Sequence, residues 1–309
     1  MILAAGLTPA WQRVMVFDSF QLGQVNRAVE IHWFASGKVI NVARALKNLG
    51  AECRTLSFVG GATGDCITEE FSDDEILARW VQTTNATRVC TTLLQREGGQ
   101  TTELVENAAA LRDNEIEAFR QAFFEEAATA ETIVLTGSLP QGVVADYYAQ
   151  LLEATKARLI LDIRGPELLA TLKKKPFCVK PNRDEFEHTV RHDCSDDPQL
   201  VKAMRQLCER GAGWVLVTDG SRATWLVSSH EAFKLTPPSV TVVNPIGAGD
   251  CFTATLAWAV HRGESMLDAV RLATAAASED VTRLLPARFD TAQLAAHAEA
   301  VHVERHEPL

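Results

Sequence analysis

Short apolar runs alternating with helical patterns leave this chain few architectures. LSFVG (56–60), TIVLTG (132–137), RLILDI (158–163), FCVK (177–180) and WVLVT (214–218) are strand-like, and stretches with helical periodicity separate them. Near-continuous apolar strands that alternate with helices specify an α/β fold, with a central, mostly parallel sheet flanked by helices. Two helices are legible in detail. NVARALKNLG (41–50) ends on Gly50 at the position after a C-cap, and DNEIEAFRQAFFEEA (113–127) sets Ile116, Phe119 and Phe123 on one face. In this class of fold ligands bind beyond the carboxyl ends of the strands.

Two stretches break the alternation. Residues 10–34 and 87–106 are richer in β-branched and alternating residues, and Gly98-Gly99 marks a hairpin turn. They predict a small β-sheet lid added to a core formed by 1–9, 35–86 and 107–309. A lid that excludes water suits an enzyme whose intermediate water could intercept. An ordinary edge extension or a homodimer surface fits the same residues.

Composition removes several partners. A net charge of −10 argues against nucleic acid and anionic membranes, whose recognition rests on basic surface, and 47% hydrophobic residues are ample for a large core. Cysteines at 53, 66, 90, 178, 194, 208 and 251 include no C-x-x-C pair and are odd in number, which reads as reduced thiols in a cytoplasmic protein. No basic leader or long apolar run opens the chain. His188 and His192 are four apart, but without the glutamate of H-E-x-x-H they read as an exposed helix end.

Chemistry concentrates in NPIGAGDCFTATLAWAV (244–260). Phe252, Leu256, Ala259 and Val260 follow one buried helix face, while Val240, Val242 and Val243 upstream read as a strand. A glycine turn between strand and helix exposes unpartnered N–H groups at the positive end of a helix dipole, which is an anion site. The plain alternative is a turn with Asp250 as an N-cap. A dinucleotide fingerprint would need glycine where Phe252 stands, and no Walker P-loop occurs. KPNRDE (180–185) puts an amide and a carboxylate at i and i+3 of a helix start, two oxygen donors that suit Mg²⁺ held through water, or equally a capped N-terminus. VTDG (217–220) supplies a hydroxyl and a glycine turn.

Together these segments carry a resemblance. SGKVINVARALKNLGAE (36–52), GGATGD (60–65), Thr87-Arg88, TGSLPQGV (136–143), KPNRDE, VTDG and IGAGD (246–250) occur in order and spacing similar to the ribokinase-like (PfkB) carbohydrate kinases, over residues 2–285. The closest likeness is to the phosphosugar branch, which includes 1-phosphofructokinase, tagatose-6-phosphate kinase and the minor bacterial 6-phosphofructokinase. The resemblance implies a ribokinase-like fold and ATP-dependent chemistry with Mg²⁺. Asp250 is then the residue that takes or orients the acceptor proton, and Gly247, Ala248 and Gly249 supply amides to the transferring phosphoryl group. Asn182 and Glu185 organise Mg²⁺, Lys180, Thr218 and Gly220 face the nucleotide phosphates, and the adenine lies near Ala275 to Ser278. Gly37 and Asn41 contact the sugar, while Lys38, Arg88 and Ser138 surround its existing phosphate.

The departures lie on the sugar side. TPAWQ (8–12) places Gln12 where the family has an aspartate and Trp11 where it has a smaller apolar residue; Ser36 and Val39 occupy glycine positions, and VENA (105–108) replaces N-E-P-G. The expectation is a kinase that converts fructose 1-phosphate, fructose 6-phosphate or tagatose 6-phosphate to a bisphosphate. The alternatives are a weakly active sugar-phosphate or nucleotide sensor, and a kinase for another acceptor.

Overall fold

The computed structural model describes residues 1–306 apart from Asp193 and Ser195. The chain begins with β1 (Ile2–Ala5), β2 (Ala10–Phe17), β3 (Glu30–Ser36), α1 (Lys38–Asn48), β4 (Cys53–Val59), α2 (Gly61–Asp73) and β5 (Ala78–Gln82). It continues through β6 (Val89–Gln95), β7 (Thr101–Val105), α3 (Asp113–Ala127), β8 (Thr132–Thr136), α4 (Tyr147–Leu151), β9 (Arg158–Asp162), α5 (Gly165–Thr171) and β10 (Cys178–Val179). The last part holds α6 (Arg183–Val190), α7 (Asp197–Glu209), β11 (Trp214–Thr218), β12 (Thr224–Val227), β13 (Ala232–Thr236), α8 (Ala248–His261), α9 (Met266–Asp280), α10 (Leu294–Glu299) and β14 (His302–His306).

One ten-stranded sheet runs β14-β13-β12-β11-β10-β9-β8-β1-β4-β5. It is parallel from β11 to β5 and antiparallel from β11 to β14. Strand β1 shows why both faces are covered: Ile2 and Ala4 belong to the core under α1 and α8, while Leu3 and Ala5 belong to the core under α3. Alternate side chains of an all-apolar strand need helices on both sides, as the sequence pattern requires. The antiparallel extension β12 to β14 was not anticipated from the sequence.

A separate four-stranded sheet, ordered β3-β2-β6-β7, stands apart. Gly98 and Gly99 turn the chain between β6 and β7 with φ of 80° and 62°, as their pairing suggests. One face buries Val14, Val16, Phe34 and Leu94 against Leu284 and Leu285. The other leaves Ile31, Trp33 and Leu104 exposed, with Trp11 stacked on Trp33.

One expectation fails. Val240, Val242 and Val243 form no strand. The N–H groups of Val243 and Asn244 both donate to the Val281 carbonyl at the end of α9, so the segment is tied to a helix terminus instead of a sheet. Pro237 and Pro238 precede it and lack the ladder donors a strand needs. Cys53, Cys66, Cys90, Cys178, Cys208 and Cys251 are free thiols, and among the described residues no helix is long and apolar enough to cross a membrane.

Candidate active site

The carboxyl ends of β9, β10 and β11, the start of α8 and the inner rim of the small sheet enclose a cleft of about 360 Å³. Gln12, Gly37, Lys38, Asn41, Arg88 and Lys180 line it, as do Asn182, Glu185, Thr218, Gly247, Gly249 and Asp250. Residues from four quarters of the sequence therefore share one space.

Gly247 caps α8 with φ 92°, and a Cβ there would lie 2.4 Å from the Pro286 Cβ, so only glycine fits. Asp250 is the third residue of the helix, not its cap. Its side chain is buried, and Asn41 Nδ2 donates to its Oδ2 at 2.7 Å. Ser36 Oγ donates in turn to Asn41 Oδ1 at 3.2 Å. Burial, aided by the Asp162 charge and opposed by Lys38, Asn41 and Lys180, pushes the Asp250 carboxyl up to about 7. A carboxylate at that value is matched to accepting a proton near neutral pH.

Behind Asp250 lies an ionic knot centred on Asp162, at the end of β9. Its Oδ1 accepts from Lys38 Nζ at 3.0 Å, its Oδ2 lies 3.3 Å from Lys180 Nζ, and Thr253 Oγ1 donates to Oδ2 at 2.8 Å. Burial alone would raise this carboxyl, but the two lysines and the hydroxyl hold it below the usual range. For Lys38 burial works against the charge, and Asp162, Glu185 and Asp250 outweigh it and raise the amine above its ordinary value. Lys180 also reaches toward the glycine turn, 3.9 Å from the Cβ position of Gly249.

Asn182 and Glu185 form a reciprocal cap of α6: Asn182 Oδ1 accepts from Glu185 N–H at 2.8 Å, and Glu185 Oε2 accepts from Asn182 N–H at 3.1 Å. The other Glu185 oxygen faces Lys38 at 3.4 Å. On the small sheet, Gln12 Nε2 donates to Thr92 Oγ1 at 2.8 Å. Arg88 donates to the Thr8, Pro9 and Glu106 carbonyls at 3.0, 3.3 and 3.0 Å.

A family model of pfkB carbohydrate kinases matches residues 9–289. The chain is a member of the pfkB family of carbohydrate kinases. It is accordingly an ATP-dependent carbohydrate kinase. A tagatose-6-phosphate kinase of Staphylococcus epidermidis is 31% identical over 263 residues, 83% of this chain and 84% of that protein. Phosphofructokinase-2 from Escherichia coli, in its tetrameric inhibited form, superposes with a TM-score of 0.87 at 26% identity, covering 96% of this chain and 99% of that one. The same enzyme in complex with fructose-6-phosphate gives 0.86 at 25% identity, covering 97% and 99%. The fold is thus ribokinase-like, with the small separate sheet these kinases carry.

Some expected residues of this pfkB kinase stand outside the cleft lining. Ser138 is exposed, and its carbonyl accepts from the Thr8 and Tyr148 hydroxyls. Gly220 occupies an exposed turn after β11. Ser278 donates to the Thr274 carbonyl of its own helix at 2.9 Å. Ala248 lies between the two lining glycines, at the first position of α8. Sequence reasoning missed Asp162 and Glu103, which also line the cleft. A signal for Asp162 existed, since an acid that ends an apolar strand at the ligand-binding edge must be buried with a partner.

Proposed function

We propose that this kinase transfers the γ-phosphoryl group of ATP to a hydroxyl of a phosphorylated ketohexose, giving a sugar bisphosphate. The observation that carries the reading is Asp250, a buried carboxyl near pKa 7 at the start of α8, beside a turn whose N–H groups have no helical partner. Fructose 1-phosphate, fructose 6-phosphate and tagatose 6-phosphate are the candidate acceptors.

In this reading Asp250 takes the proton of the attacking hydroxyl, with Asn41 fixing its orientation. The amides of Gly247, Ala248 and Gly249 stabilise charge on the moving phosphoryl group. Lys180, with Thr218 and Gly220, faces the nucleotide phosphates, and Ser278 belongs to the helix nearest the adenine. Gln12, Gly37, Lys38, Arg88 and Ser138 address the acceptor. The small sheet acts as the lid, and its exposed Ile31, Trp33 and Leu104 make it the surface for a homodimer.

The residues also fit Mg²⁺, provided the ion takes most of its ligands from phosphate and water. No cluster of three or more His, Cys, Asp or Glu side chains forms a cage among the described residues. Asn182 and Glu185 are engaged in their mutual cap, and the donors nearby are oxygens, so they would hold a hydrated hard cation at one remove. The ion would neutralise phosphate charge.

One observation favours a kinase for a different acceptor. Arg88 already serves three carbonyls, and the carboxylate of Glu103 shares the same wall. ADP release measured across phosphosugars, free sugars and nucleosides decides between the readings; the absence of release with every member of the panel would leave a sensor.

Two substitutions locate the acceptor. Arg88→Ala is expected to raise KM for the phosphosugar by roughly thirtyfold, about 2 kcal/mol, while KM for ATP stays within a few-fold. An unchanged phosphosugar KM removes Arg88 from the acceptor site. Gln12→Asp replaces a neutral carbonyl acceptor with a charged one, which strengthens a hydroxyl contact by about 1 to 2 kcal/mol. For a ketohexose phosphate, kcat/KM should rise about tenfold, because the carboxylate can accept from two neighbouring hydroxyls. A fall for the best acceptor of the panel would show that it presents an acceptor atom to Gln12.

A further inference from the structure

Strand β7, at one border of the small sheet, turns one acid toward the cleft. Its register sets Glu103 across from Thr92 and Leu104 across from Thr91. Thr92 pairs in turn with Val14 of the buried face, whereas Leu104 is exposed with Ile31 and Trp33 on the outer one. Cross-strand partners share a face, so Glu103 stands beside the Thr92 hydroxyl that Gln12 Nε2 contacts, and it lines the cleft together with Gln12 and Arg88. A glutamate kept only to discourage strand pairing at a sheet border would serve as well on the outer face.

Four carboxylates line this cleft. Asp162 is held by Lys38, Lys180 and Thr253, Glu185 by Asn182 and Lys38, and Asp250 by Asn41. Glu103 alone of the four has neither a hydrogen bond nor an ion pair among the described residues. Arg88 and Cys90 are its ionisable neighbours, and the hydrogen bonds of Arg88 go to the Thr8, Pro9 and Glu106 carbonyls.

We propose that Glu103 is a specificity-determining residue of the acceptor site, accepting hydrogen bonds from a pair of neighbouring hydroxyls of the sugar. The proposal rests on the reading of this cleft as the place where the acceptor binds. A sugar hydroxyl taken out of water needs an acceptor for its proton. Gln12 spends its Nε2 on Thr92 and has one neutral oxygen left to offer, while the two oxygens of a free carboxylate can serve two hydroxyls with full negative charge. The assignment holds for a phosphorylated or an unphosphorylated acceptor, since both present hydroxyls.

Initial rates with ATP and the best acceptor of the panel, for wild type, Glu103→Gln and Glu103→Ala, test it. Glu103→Gln should raise the acceptor KM about tenfold, the difference between a charged and a neutral hydrogen-bond acceptor, and Glu103→Ala at least as much. The KM for ATP and the melting temperature should stay near wild type, which separates recognition of the acceptor from a structural role. Deoxy analogues of the acceptor, each lacking one hydroxyl, complete the cycle: for one or two of them the penalty of Glu103→Gln should vanish, because the contact is already gone. A penalty that every analogue shares overturns the proposal, as does an unchanged acceptor KM in both variants. A lower KM overturns it too, because the carboxylate would then be repelling the acceptor's phosphate. Full activity of Asp250→Asn would instead overturn the reading of the cleft itself, so the two failures are distinct.

Discussion

Asp250→Asn is expected to lower kcat by about 10²- to 10⁴-fold while ATP binding, measured by calorimetry, stays near wild type. The amide keeps the volume of the side chain and can still accept from Asn41 Nδ2, now at 2.7 Å from Oδ2, so the turn should hold its shape. What it cannot do is take a proton. The same residue sets the acid limb of kcat/KM: only the ionised form is a base, so activity should fall as pH drops below about 7, well above the range of an ordinary carboxylate. An asparagine variant with a kcat close to wild type would remove Asp250 from proton transfer.

The largest expected loss of stability follows from Asp162→Ala. This change strips the shared anion from Lys38 and Lys180 and the acceptor from Thr253, leaving a fully buried ammonium at Lys180. Breaking a buried ion pair from one side costs about 3 to 5 kcal/mol. Lys38 is partly exposed and can recover water, so the expectation lies near the lower end, about 3 kcal/mol by urea unfolding at pH 7. The sign with pH is fixed by the depressed carboxyl: Asp162 contributes stability above its unfolded pKa and loses it as pH falls through the folded value. The gap between variant and wild type should therefore narrow in acid. A variant within about 1 kcal/mol of wild type at pH 7 would show that the lysines find other partners.

What was legible in the sequence is what local pattern controls. Helix α3 runs from Asp113 to Ala127 as its periodicity predicts, and the apolar runs became the parallel strands β4, β8, β9, β10 and β11 because each must be covered on both faces. Val240 to Val243 misled because β-branched residues favour strands only where a ladder is offered, and here the available carbonyl was that of Val281. The apolar run that Asp162 ends signals a buried acid but not its partner, because Lys38 lies 124 residues away. Ser278, placed near the adenine by resemblance, satisfies its hydroxyl on the Thr274 carbonyl four residues earlier in its own helix, a bond that only the folded helix creates.

The two borders of the ten-stranded sheet are closed to one another by charge. At one border β14 reads HVERH, with His302, Glu304, Arg305 and His306 along a five-residue strand; at the other β5 carries Arg79, ion-paired with Glu125 and Glu126. Short strands bearing charged side chains are poor templates for a further strand, which is how open sheets avoid growing into fibres. This kinase can therefore leave its main sheet unclosed at both ends without offering a flat apolar edge at either.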